Sequence, residues 1–131
     1  EAAQSLYRGL DAQQDGRAAE LNHRLADAGL PVRVANLSTI WTVTYTQPSR
    51  YNWMLRFYLR EQGLLLSWVG SGRLIFSLNF GDTDFERVCQ RFVAAGRAMA
   101  ADGWWWQAPG QTDKTIRRGI LREMLSRRSA P

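Results

Sequence analysis

Arg73 follows directly on Gly70-Ser71-Gly72, and here residue type and spacing suggest ligand chemistry. Glycines leave backbone amides uncovered, and successive amides in a tight turn form a concavity that suits an anion. A guanidinium beside such a turn can hold a carboxylate or phosphate through two parallel N–H donors. The same residues also read as an ordinary turn followed by a solvated edge arginine, and both readings stay open at this point. The glycine pair is not a dinucleotide fingerprint, because it joins strand to strand and no third glycine opens a helix.

The other reactive residue types read as structural. Cys89 lies in an apolar stripe between Phe85 and Phe92, so it reads as a core thiol, with no histidine placed to activate it. Ser67 and Ser71 lack a base for the same reason. His23 is the only histidine and falls on a polar helix face. One histidine and one cysteine make no metal site, which needs several converging ligands. No catalytic residue and no metal ligand is therefore assigned. Trp104, Trp105 and Trp106 suit stacking on bases or sugars, or docking as an aromatic clasp; docking is the expectation.

The elements that must position Arg73 follow from periodicity. Residues 63–79 read as a hairpin. Its first strand is the apolar run 64–68, its loop is 69–72, and its second strand is 73–79. In that second strand Leu74, Phe76 and Leu78 face one way, and Arg73, Ile75, Ser77 and Asn79 the other. A first helix spans about 3–28, with Leu6, Leu10, Ala18, Leu21 and Leu25 on its apolar face, its acids and arginines elsewhere, and Gly29 and Pro31 ending it. Residues 32–36 and 39–46 are strands; the latter is β-branched and aromatic throughout and should bury Trp41, Val43 and Tyr45. Ser49 caps a helix over 51–62 that is apolar almost all round, which predicts burial between the sheet and a second surface. Thr83 to Glu86 reads as a capping box opening a helix to about Asp102. A last helix over 115–127 should pack Ile116, Ile120, Leu121, Met124 and Leu125 and leave its arginines in water. The order α-β-β-α-β-β-α-α makes an α+β fold, a small antiparallel-rich sheet covered by helices.

Length suits one compact core, with 131 residues of which 45% are hydrophobic. A single cysteine rules out an internal disulfide and fits a reducing, cytoplasmic setting. No apolar run approaches a membrane span, and no signal peptide is visible. The chain begins at Glu1, which predicts a fragment or an excised piece of a longer protein. Its net charge of +5 is concentrated at the end, where Arg117, Arg118, Arg122, Arg127 and Arg128 crowd together. Without that tail the domain is close to neutral, so nucleic-acid binding is not the expectation.

Three stretches carry a family resemblance. Residues 21–34, Leu-Asn-His-Arg-Leu-Ala-Asp-Ala-Gly-Leu-Pro-Val-Arg-Val, resemble the helix-to-strand entry of the C-terminal small domain in class III aminotransferases that depend on pyridoxal phosphate. Residues 63–67, Gly-Leu-Leu-Leu-Ser, resemble the family's G-V-Y-L-x-x-S strand. Residues 76–80 with 82–85 resemble its V-S-x-x-H-T-x-x-D-I strand-to-helix entry. The match covers roughly residues 3–103 and is closest to the glutamate-1-semialdehyde aminomutase group, including relatives embedded in peptide and polyketide assembly lines.

The resemblance implies a division into a small domain over 1–106 and a basic helical extension over 107–131. It implies amino-group transfer through pyridoxal phosphate in a homodimeric parent acting on an amino acid or keto substrate. It also implies that an N-terminal large domain carries the Schiff-base lysine and most cofactor ligands. Lys114, the only lysine, does not match that lysine's motif. The chain would supply the substrate-side wall and not be active alone. The aminomutase group has a glutamate where Gly72 or Arg73 stands here. An arginine instead suits a substrate carboxylate, with Ser67, Trp68, Ser71 and Gly72 around it. The alternative is a non-catalytic basic α+β module that binds nucleic acid or another protein.

Overall fold

The computed structural model describes residues 7, 9–66 and 72–128. The segment with the strongest strand composition takes the centre of the sheet. It is β2 (Ile40–Tyr45), flanked by β1 (Val32–Leu37) and β3 (Arg73–Ile75), all antiparallel. Four helices accompany the sheet among the described residues: α1 (Leu10–Asp27), α2 (Leu55–Glu61), α3 (Asp82–Ala101) and α4 (Asp113–Arg128). A 3-10 turn, Asn52–Met54, leads into α2. The class is the expected α+β arrangement, an antiparallel sheet flanked by helices.

Alternation decides which residues enter the core. Trp41 is fully buried and Val43 nearly so, while Ile40 and Thr44 face outward. Trp41 meets Phe76 edge-on at 5.0 Å and Phe85 at 6.5 Å. Its indole N–H donates to Gln14 Oε1 at 3.1 Å, so two buried polar groups satisfy each other. Leu21 and Leu25 of α1, Leu55 and Leu59 of α2, and Cys89, Phe92 and Met99 of α3 complete this core. Pushing Leu21 and Leu25 fully out of water stabilises the fold by about 1.5–3 kcal/mol each.

Polar side chains lock the layers. Arg17, only 7% exposed, donates to the Phe80 carbonyl at 3.1 Å and to Asp82 at 2.8 Å, and its guanidinium lies 5.2 Å from the Phe80 ring. Arg17 thus ties α1 to the start of α3. Asn22 accepts from the Val34 amide at 2.7 Å and donates to the Val34 carbonyl at 2.9 Å. A side-chain amide thus occupies the outer edge of β1, where an unpaired strand would recruit a foreign chain.

Several expectations need correction. Residues 64–66 pair with no strand among the described residues, and β3 joins β2 instead. The cause lies at Gly63, whose φ of 78° ends α2 and turns Leu64 back, with the Leu64 amide donating to the Leu59 carbonyl at 2.8 Å. Residues 67 and 68 lie outside the described residues. β3 stops at Ile75, because the chain turns where the Phe80 amide meets the Ser77 carbonyl, stacking Phe76 on Phe80 at 4.2 Å. The cap of α3 is Gly81, not Thr83; the Asp84 carboxylate accepts from the Gly81 amide at 3.3 Å.

Helix α2 buries Leu55 and Leu59, but its Phe57, and Trp53 in the turn before it, stand about half exposed with Arg56 stacked on both rings. α2 packs on α3 rather than between two surfaces. The apolar side of α4 is largely exposed: Leu121, Met124 and Leu125 are more than half exposed. A bidentate pair of Arg50 with Glu123, at 3.0 and 2.9 Å, holds α4 to the body.

Candidate functional site

The helices cover one side of the sheet, and the ladder fixes what the other side presents. Thr42 stands opposite Arg73, and Ala35 opposite Thr42, making a row across all three strands. The next row is Leu37, Ile40 and Ile75, and at the other end Arg33 stands opposite Thr44. Arg33, Ala35, Leu37, Ile40, Thr44, Arg73 and Ile75 are exposed, and Thr42 is half-buried. None of these outward-facing ladder residues is acidic. Two guanidiniums, two hydroxyls and an apolar row therefore share one open face, which suits a ligand with an anionic end and an apolar body.

Arg73 is the first residue of β3, and Gly72 positions it. Gly72 has φ 70°, which favours glycine, and a Cβ there would press on Leu66 Cδ1 at 3.0 Å. The Gly72 carbonyl accepts from the Val43 amide at 3.4 Å, which carries the ladder past Arg73. The expected pairing of a positive-φ glycine with an outward arginine is present. Ser67, Trp68 and Ser71, the other expected site residues, lie outside the described residues, as does Gly70. Arg33 was not expected. Its sequence position reveals nothing until the strand order puts β1 and β3 on either side of β2.

The residues read as structural behave as such. Cys89 is fully buried, and that burial pushes its thiol up to about 11. His23 sits on the surface of α1 with Asp27 at 3.3 Å. Among the described residues no group of three or more His, Cys, Asp or Glu is placed to hold a metal ion. The tryptophans dock within the chain. Trp105 donates its indole N–H to the Gly96 carbonyl at 2.9 Å and lies 6.2 Å from Tyr45, while Tyr51 sits between Trp104 and Trp106 at 5.4 and 5.9 Å. Lys114 is exposed in the first turn of α4.

No protein-family model matches the chain, and no curated protein does. Solved structures do. The neighbours are transaminases. An omega-transaminase from Sphaerobacter thermophilus superposes with TM-score 0.59 over 71% of this chain, at 15% identity. A transaminase with PLP bound superposes with TM-score 0.60 over 76%, at 20% identity. A beta-phenylalanine aminotransferase from Variovorax paradoxus superposes with TM-score 0.52 over 72%, at 21% identity. At these identities the likeness is one of fold. The chain spans 24% of the length of each of these transaminases. No helix of the described residues is long and apolar enough to cross a membrane.

Proposed function

We propose that this chain is the C-terminal small domain of an aminotransferase that uses pyridoxal phosphate, and that its open sheet face forms the substrate-side wall. One observation carries the reading: the fold reproduces about a quarter of three transaminase chains. The three sequence stretches that resemble class III small domains support it independently.

The cofactor does not belong to this chain alone. Lys114 is the only lysine and stands on exposed α4, and the open face carries no lysine. The Schiff-base lysine and most cofactor ligands belong to an N-terminal large domain, within a homodimeric parent. Pyridoxal phosphate, when held there, supplies the electron sink of amino-group transfer. This chain's own part is to bind and orient. Arg73 holds the substrate carboxylate with two N–H donors. Gly72 leaves room for close approach, and Ser67, Trp68 and Ser71 border the same turn. The apolar row of Leu37, Ile40 and Ile75 faces the large domain or the substrate's body. Residues 107–131 form a basic extension outside this unit. A glutamate-1-semialdehyde-type aminomutase is the alternative within this reading, and Gly72 or Arg73 at the position of its glutamate favours transamination.

The test is made on the enzyme in which this segment follows its lysine-bearing large domain. Amine donors are mixed with keto acceptors, and both products are followed. Exchange of the amino group between two separate molecules is expected. Failure to transfer it from any amine overturns the function, and transfer only within one molecule selects the aminomutase alternative.

A further inference from the structure

α4 is open to water along most of its length. Across residues 113–127 only Ile116 and Gly119 are half-buried, and the rest are exposed. A helix of 16 residues is marginal in water without a packed face, and a glycine in its interior weakens it further. Yet α4 repeats its apolar side chains at helical spacing. Leu121, Met124 and Leu125 stand at i, i+3 and i+4, each more than half exposed. The stripe has the pattern of a face that a second element covers.

The charge on α4 selects what covers it. The helix carries Lys114 and five arginines against two acids, Asp113 and Glu123. Glu123 is taken by Arg50 at 3.0 and 2.9 Å, and Asp113 lies two turns before Leu121. Among the described residues no salt bridge engages Arg117, Arg118 or Arg122. These cations stand within the stripe, not opposite it. Arg117 precedes Leu121 by four residues and Met124 by seven, and Arg118 precedes Leu121 by three and Leu125 by seven, so each shares a face with the apolar side chains. That placement disfavours a lipid surface, where an in-plane helix keeps its cations on the face away from the acyl chains. Nucleic acid phosphates would satisfy the arginines but leave three large apolar side chains in water. A second copy would set arginine against arginine. We propose that α4 docks on an acidic amphipathic helix of another protein. The partner's apolar stripe covers Leu121, Met124 and Leu125, and its flanking carboxylates pair with Arg117, Arg118 and Arg122. This docking surface does not depend on the aminotransferase reading.

The probe is a synthetic helical peptide of about 21 residues, with leucine at the a and d positions of each heptad and glutamate at e and g. It is titrated into the isotope-labelled chain, and binding is read by NMR amide shifts and by fluorescence anisotropy. Saturable binding with a Kd on the order of 10 μM is expected, with the shifts confined to residues 113–128. Replacing every glutamate of the peptide by glutamine, or every leucine by alanine, should each weaken binding about 10-fold or more. On the protein side, Leu121→Ala should weaken binding by a similar ~10-fold, and Arg118→Gln should flatten its salt dependence. Both positions are exposed and both new residues are good helix formers, so neither variant loses binding through loss of the helix. No saturation, shifts centred outside α4, equal binding of either altered peptide, or unchanged affinity in Leu121→Ala would overturn the proposal. So would tighter binding, at the same salt, to phosphatidylserine-containing vesicles or to a DNA duplex.

Discussion

Asn22 shows how one side chain guards a structure. Its amide satisfies both the N–H and the C=O of Val34, on the side of β1 that no strand covers. Asn22→Ala removes both bonds, and the expected loss is about 1–3 kcal/mol of stability, read as a lower urea midpoint. An unchanged midpoint would show that water replaces the amide at no cost. Cys89 carries a pH prediction. Its thiol is raised by burial to about 11, above the ordinary 9, so the folded state resists losing that proton. The stability it contributes is complete below pH 9 and is lost as pH rises through about 11. Cys89→Ala is expected to flatten this alkaline fall, even though the smaller side chain lowers stability throughout. An identical alkaline slope in the variant would remove Cys89 as its source. Gly96 sits where α3 crosses Leu30, and a Cβ there would overlap the Leu30 side chain. Gly96→Ala should cost about 1–3 kcal/mol, measured by thermal unfolding. The core role of Cys89 was legible from its stripe. The roles of Asn22 and Arg17 were not, because their partners lie on β1 and at residues 80–82, and only the folded chain brings them together.

The elements divide by how local their determinants are. α1, β1, β2 and α3 follow from periodicity, β-branched composition and the glycines at 29 and 103. The partner of β3 did not, because local sequence offers Leu64, Leu65 and Leu66 as the nearest strand. What decides is the turn at Gly63, which sends Leu64 into the core and leaves β2 as β3's neighbour. α4 has a regular apolar stripe, which reads as packing, yet Leu121, Met124 and Leu125 stay exposed. Periodicity shows that a face is apolar without showing what covers it. Arg50 and Glu123 are both partly exposed, and a solvated pair contributes little. Removing residues 113–131 should therefore leave the thermal midpoint of the remaining domain nearly unchanged by circular dichroism. A large drop would mean that α4 is integral to the core.

At the scale of the molecule, one layer of helices packs on a small sheet, and among the described residues no element packs on the opposite sheet face. That face carries Arg33 and Arg73 at separate positions and the row of Leu37, Ile40 and Ile75. The fold matches a quarter of three transaminase chains, and the proposed function places a large domain against this face. The turn at Gly72 and the outward direction of Arg73 were legible in sequence. Gly72 and Arg73 are local to one turn, but the face they share with Arg33 depends on strand order. The most direct test compares Arg73→Ala with the unaltered parent enzyme, using amine donors with and without a carboxylate. Loss of a charged hydrogen-bonded pair predicts a KM about 10–100-fold higher for carboxylate donors, with the carboxylate-free amine unchanged. An unchanged KM for every carboxylate donor would contradict the assignment of Arg73 as the carboxylate-binding residue.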